Sequence, residues 1–133
     1  MATLDISPAQ PRATSLDNID NAWTDFTPAV GAGSGSFTTV SASGRYRLIG
    51  AKTCQVQLKV VITDTGTAGS YVTATLPFAV HNDTAFAANN SNNVGVAARA
   101  TAAGNTVYLL RYDGTYPGGN GVNLYLAGAF EVN

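Results

Sequence analysis

The chain has 133 residues, a formal net charge of −1 and 11% charged side chains. That length suits one domain with a proper core, and so weak a charge removes the electrostatic basis for binding nucleic acid or acidic membranes. Residues 1–22 lack the basic and apolar runs of a signal peptide, and no window approaches the ~18 apolar residues of a membrane span. We therefore expect a soluble protein, made in a cytoplasm and not inserted into a membrane.

The first 21 residues predict an extended arm that precedes the folded domain. Pro8 and Pro11 hold the backbone extended and remove two amide donors. Ser15 is placed to cap a short helical turn, too short to be stable alone. The predicted division is an arm over 1–21, with that helical turn, and a β head domain over 22–133.

From Trp23 onward the hydrophobic period is two, which predicts β-strands. The clearest example is TCQVQLKVVIT, where alternate residues predict a core face made of Cys54, Val56, Leu58, Val60 and Ile62. About eight strands follow in chain order: WTDFTPAV, SFTTVSA, GRYRLIG, TCQVQLKVVIT, SYVTATLPF, VGVAARATA, TVYLLRY and VNLYLAGAFEV. Many short strands with regular turns indicate a sandwich, jelly roll or barrel.

The predicted connections are rich in turn residues. Residues 31–35 are glycine-rich and predict a flexible link. Two longer stretches, 81–93 and 113–121, predict the longest loops of the domain. Cys54 is the only cysteine, which excludes an intrachain disulfide and predicts a buried, inert thiol.

Several predicted strands carry small or apolar residues on both faces, for example Val61, Ala97, Ala127 and Ala129. The outer face of a monomeric sandwich usually has more charge than this. Packing of that second face against sister subunits explains the pattern, and a closed ring of three covers strand edges. We therefore expect a homotrimer.

Residues for catalysis or metal binding are scarce. His81 is the only histidine, Glu131 is the only glutamate, and no aspartates have a spacing that forces two together. Asp113 in the glycine-rich 113–121 stretch is a conceivable calcium ligand, but turn chemistry explains that stretch better. The expectation is a protein with no catalytic residue, no metal and no cofactor, and thus not an enzyme.

The candidate ligand-binding residues lie in or beside the two long loops. Tyr116, between Thr115 and Pro117, is expected to stack on a sugar, with hydrogen bonds from Asn120 or Asn90. His81 and Tyr112 complete this set.

Trp23 and two arginines form a second group of large polar or aromatic side chains. For Trp23 we favour packing in the core or between subunits over ligand binding. Arg45 and Arg47 lie on one strand face, where an ion pair or an interface is favoured over ligand recognition.

Roughly from residue 22 to residue 133, the chain resembles the C-terminal head domains of tailed-bacteriophage fibre, tail-needle and other minor structural proteins. The Thr-rich hairpin and the closing strand VNLYLAGAFEV agree with that family. The other matching residues are Trp23, Phe26, Pro28, Gly44-Arg45-Tyr46, Ile49-Gly50 and Leu76-Pro77-Phe78. The resemblance implies a jelly roll similar to that of tumour necrosis factor, which usually forms trimers.

The resemblance also implies a function. It predicts a virion structural protein, made in the host cytoplasm, whose trimeric knob attaches to a host-surface glycan as part of a tail fibre or spike. The N-terminal arm is expected to join other virion proteins. The alternatives are a capsid decoration or head-fibre or neck-fibre protein with a purely structural role, and a stand-alone sugar-binding lectin.

Overall fold

The computed structural model describes residues 22–133, which form nine strands and no helix. These residues therefore include no helix that is long and apolar enough to cross a membrane. The predicted arm and its helical turn lie outside the described residues. The strands are β1 Thr24–Phe26, β2 Val30–Ser34, β3 Thr39–Ile49, β4 Thr53–Asp64, β5 Gly69–Thr75, β6 Thr84–Asn90, β7 Gly95–Ala100, β8 Thr106–Arg111 and β9 Val122–Glu131.

All nine strands belong to one antiparallel sheet with the order β1-β3-β4-β9-β6-β7-β8-β5-β2. Three of its strand pairs are nested one inside another in chain order: β4 pairs with β9, β5 pairs with β8, and β6 pairs with β7. This winding is that of a jelly roll. The edge strands β1 and β2 are consecutive in the chain, so the sheet curls back on itself around one core. The predicted all-β, jelly-roll-like fold is confirmed.

The core lies on the inner face of the curled sheet, and β4 and β9 contribute most to it. Every residue of the predicted β4 core face is buried, as the alternating pattern indicated. Leu58 faces Leu126 of β9 across the ladder, and Val60 faces Leu124. Burial of each such side chain contributes about 1.5–3 kcal/mol relative to an exposed one. The sequence period of two therefore translates directly into the stability of this pair of strands.

An aromatic cluster closes the core beside β1. Phe26 packs edge-on against Tyr46, and Tyr46 packs edge-on against Phe78, with ring centroids 5.8 and 5.2 Å apart. The ring of Phe26 lies over Gly44, where a Cβ atom would come within 2.7 Å of it. Gly44 therefore faces the core, and because it has no side chain, the ring of Phe26 occupies the space beside it. For this reason β3 runs unbroken through Gly44, and the two strands predicted as SFTTVSA and GRYRLIG are one.

Two stretches predicted as connections are strands instead. Residues 30–34 form β2, which pairs with β5. Its glycines make room for β5 side chains, because a Cβ at Gly33 would collide with the ring of Tyr71. Residues 84–90 form β6, between β9 and β7. Because alanine and asparagine occur on both faces of β6, its sequence shows no clear alternation of apolar and polar residues. Phe86 is the one large apolar side chain on its inner face.

The thiol of Cys54 is fully buried at the start of β4, and burial raises its pKa from 9.0 to about 11. At pH 8 we expect iodoacetamide to label the folded protein at least about a hundredfold more slowly than the urea-unfolded chain, since only the thiolate reacts. Because the folded pKa is the higher one, the stability that the protonated thiol contributes is complete below pH 9 and is lost as the pH rises towards 11. Equal labelling rates for the folded and unfolded chain would contradict the burial of this thiol.

Candidate binding surfaces

The connections between strands lie at two opposite ends of the sheet. The loop end, as we call it, carries residues 35–38, 65–68, 91–94 and 112–121. The opposite end carries the turn 50–52 and the segments 76–83 and 101–105. The chain enters β1 from the side of that opposite end, because Thr24 pairs with Tyr46 and Phe26 with Gly44. The entry of the chain and the loop end thus point in different directions.

Four of the five predicted ligand-binding residues lie at the loop end, and His81 does not. Asn90, Tyr116 and Asn120 are near the first residues of β9, and Tyr112 follows β8 at the same end. The His81 amide instead donates to the Glu131 carbonyl, near the last residue of β9, at 2.8 Å. The His81 ring nitrogen Nδ1 lies 3.2 Å from Asn133 Oδ1. The loop end and His81 are separated by the length of β9, roughly 30 Å. The two predicted loops therefore do not form one surface, because β6 carries the chain from one end to the other.

Asn90 is buried, and both ends of its amide group are used within the chain. Its Oδ1 accepts hydrogen bonds from the backbone amides of Asn92 and Val94, both at 3.0 Å. Its Nδ2 donates to the Pro117 carbonyl at 3.4 Å. Asn90 therefore closes the β6–β7 turn and fastens it to the 112–121 loop, which is a structural task that its position in the sequence did not indicate.

Tyr116 and Asn120 fasten the same loop to the β4–β5 turn. The Tyr116 ring packs half-buried against the core, and its hydroxyl lies 2.5 Å from Thr65 Oγ1. Asn120 Oδ1 accepts a hydrogen bond from the Thr65 amide at 2.8 Å. This geometry gives both side chains a packing role. Tyr112, which is 74% exposed, is the aromatic side chain at the loop end that is open to a ligand.

The remaining loop-end charges are engaged locally. Asp113 accepts hydrogen bonds from the hydroxyl and the amide of Thr115 at 2.6 and 3.2 Å, and mainly the hydroxyl lowers the pKa of its carboxyl group. Arg111 lies 3.9 Å from the same carboxylate, the one ion pair within residues 22–133. No group of three or more potential metal ligands occurs in this part of the chain.

Trp23 lies against two arginines on the outer face of β3. The guanidinium carbons of Arg45 and Arg47 are 4.4 and 4.9 Å from the centroid of its ring. The Nε atoms of these arginines donate to Gln57 Oε1 and Gln55 Oε1, at 3.1 and 2.6 Å respectively. Neither arginine has a carboxylate partner among the described residues. The ion pair considered for them is therefore absent from this region, and a cation–π stack holds them in place.

Beside this stack runs an open groove of about 960 Å³, which we call the outer groove. It crosses the outer faces of β1, β3, β4, β9 and β6. Small side chains form its floor, among them Ser43, Ala87 and Ala127. Larger polar and aromatic side chains stand along it: Asp25, Arg45, Gln57, Lys59, Asn89 and Tyr125. A groove of this kind exists because small outward residues lie between tall ones on adjacent strands.

Lys59 and Tyr125 form an exposed part of the outer groove. They face each other across the β4–β9 ladder, with Lys59 Nζ 5.9 Å from the ring centroid of Tyr125. Tyr125 is 40% exposed, and Asn89 lies opposite it on β6. This part of the surface combines a flat ring, a cation and an amide, the groups that take up sugars and their acidic substituents.

The lining of the outer groove suits binding rather than acid–base chemistry. It contains one carboxylate and two cations, with no histidine, cysteine or second carboxylate. Hydrolysis of a glycoside needs a pair of carboxyl groups on either side of the bond, and the groove does not supply the pair. This site was not predicted from the sequence, since it depends on the register of five strands. The available signal was the set of small residues on outward positions of β6 and β9.

Comparisons with protein-family models, with curated proteins and with solved structures find no match to this chain.

Proposed function

We propose that the chain is a virion structural protein of a tailed bacteriophage, whose β-sandwich head attaches to the host surface. The observation that carries the proposal is the outer groove, which offers Tyr125, Lys59 and Arg45 for binding on a rigid sheet. Groups held on a sheet keep their geometry better than groups on a mobile loop. The resemblance to phage head domains supports the same function.

The path of the chain supports attachment through the N-terminal arm. The chain enters β1 from the side opposite to the loop end. A head joined to the particle through residues 1–21 therefore turns its loop end away from the junction, while the outer groove lies on the face of the sheet beside β1. This arrangement leaves the loop end free while the arm is engaged with other virion proteins.

A direct binding experiment separates this function from its main alternative. The purified protein is incubated in parallel with host cells and with empty capsids, and the bound fraction is measured after sedimentation. Host attachment predicts saturable binding to cells. Binding to capsids alone would instead assign the protein to capsid decoration.

One observation favours that structural alternative, a decoration or head-fibre protein. At the loop end, Asn90, Tyr116, Asn120 and Asp113 are all hydrogen-bonded within the chain. Loops closed in this way are built for rigidity more than for adaptable contact with a receptor. A purely structural head needs no more than this.

The head is proposed to be a homotrimer, because the outer face is poor in charge and carries exposed alanines outside the outer groove, including Ala97 and Ala129. Light scattering at micromolar concentration is expected to give three times the 13.7 kDa mass of one chain. A monomer mass under these conditions would remove the trimer from the proposed function.

A further inference from the structure

We infer that the outer groove binds an acidic polysaccharide, with Tyr125 stacked on a sugar ring and Lys59 and Arg45 facing its carboxylates. This inference rests on the proposed function, and it places the receptor in the groove rather than on the loops. It follows from the charge, the shape and the exposed ring of this surface.

The charge of the groove is unbalanced in favour of an anion. Lys59 and Arg45 line it together with a single carboxylate, Asp25. Asp25 is paired with Arg45 in the strand register, yet no carboxylate lies within 4.0 Å of either cation in residues 22–133. Two cations that have no ion-pair partner within residues 22–133, on a weakly charged surface, favour an anionic occupant.

The guanidinium group of Arg45 is held in an orientation that suits such an occupant. Its Nε donates to Gln57, and its guanidinium stacks on Trp23 at 4.4 Å. These two contacts fix the plane of the guanidinium while its terminal nitrogens stay available to donate a pair of hydrogen bonds to a carboxylate. A pre-ordered arginine loses less side-chain entropy on binding than a free one.

The shape of the groove favours a polymer of sugars over a small ion. Its volume of about 960 Å³ is open along the sheet and far exceeds what a single ion fills. Its floor of Ser43, Ala87 and Ala127 leaves room for a ring-sized unit beside Tyr125. A 40% exposed tyrosine ring next to a cation and an amide provides stacking together with polar contacts.

Isothermal titration with three polymers of matched length tests the inference: polygalacturonate, neutral dextran and polyglutamate. Polygalacturonate is expected to bind and to weaken as salt is added, because the cations are exposed. Dextran lacks the charge and polyglutamate lacks the sugar ring, so both are expected to bind at least about tenfold more weakly. Binding of dextran equal to that of polygalacturonate would overturn the role of charge. Equal binding of polyglutamate would overturn the role of the ring.

Matched variants locate the site. Lys59→Gln and Tyr125→Ala are each expected to weaken polygalacturonate binding about tenfold or more. Their controls are Lys52→Gln, an exposed lysine in the 50–52 turn, and Tyr112→Ala, the exposed tyrosine at the loop end. The controls are expected to stay within about twofold of the unchanged protein. An equal loss in the controls, or a loss for Tyr112→Ala alone, would overturn the assignment to the groove.

Light scattering and host-cell binding of the variants distinguish failure of the groove assignment from self-association and from failure of the proposed function. If the outer groove packs against a second copy, Tyr125→Ala lowers the mass seen by light scattering, which would overturn the inference. Should the protein bind host cells while both groove variants bind them equally well, the groove assignment fails and the attachment function stands. Failure of the unchanged protein to bind host cells would instead remove the function itself.

Discussion

Leu58→Ala is expected to lower the free energy of unfolding by about 2–5 kcal/mol, the largest effect we predict for a single side chain. Leu58 is 4% exposed at the middle of β4, opposite Leu126 of β9 and Gly44 of β3. Truncation to alanine leaves a cavity that neither neighbouring strand can fill, because both are fixed by hydrogen bonds along their whole length. Urea denaturation followed by circular dichroism measures the change.

The matched control is Thr63→Ala, on the same strand but with an exposed side chain. Its expected cost is below about 1 kcal/mol, the span of strand propensities. A cost below about 0.5 kcal/mol for Leu58→Ala, the level of ordinary surface substitutions, would show that the face of β4 assigned to the core is wrong.

The second large effect concerns the backbone of the loop end. Gly35 has a φ of 64° and lies where a Cβ atom would collide with the Thr67 carbonyl. Two hydrogen bonds tie this turn to the β4–β5 turn, from the Thr67 amide to the Ser36 carbonyl and from the Ser36 amide to Thr67 Oγ1, both 3.1 Å long. Gly35→Ala is therefore expected to cost about 2–4 kcal/mol, through conformational strain together with displacement of the neighbouring turn.

Gly50→Ala is the control that isolates conformational strain. Gly50 has a φ of 72°, close to that of Gly35, but a Cβ atom there meets nothing within 4 Å. Its expected cost is about 1 kcal/mol, the penalty for a non-glycine residue with positive φ. Thermal or urea unfolding of the two variants side by side gives the comparison. If both substitutions cost the same, the two loop-end turns do not interlock as described.

The fold was largely predictable because its central strands have one buried face. In β4 large apolar residues alternate with polar ones along most of the strand, and in β9 buried large apolar residues recur at every second position except Gly128, so the pattern stands out from the sequence alone. The strands β2 and β6 escaped prediction for a physical reason. Glycine, alanine and asparagine give little hydropathy contrast between faces, and these strands are defined by the partners that they pair with.

The binding surfaces were less predictable because they depend on contacts distant in sequence. Asn90 looked like a free loop residue, but the amides of its own turn and the carbonyl of Pro117 use its side chain. Tyr116 appeared to lie in an open loop, yet it packs on the core and reaches Thr65. The outer groove arises only when the register of five strands is known. Sequence pattern alone does not contain that information.

The proposal of host attachment is tested most directly by competition for adsorption. Host cells are pre-incubated with increasing concentrations of the purified head, the phage that carries this protein is added, and free phage are counted. Adsorption is expected to fall as the head saturates its receptor, with Tyr125→Ala competing at least about tenfold less well and Tyr112→Ala competing normally. Unchanged adsorption at concentrations of the head that saturate the cells would contradict it.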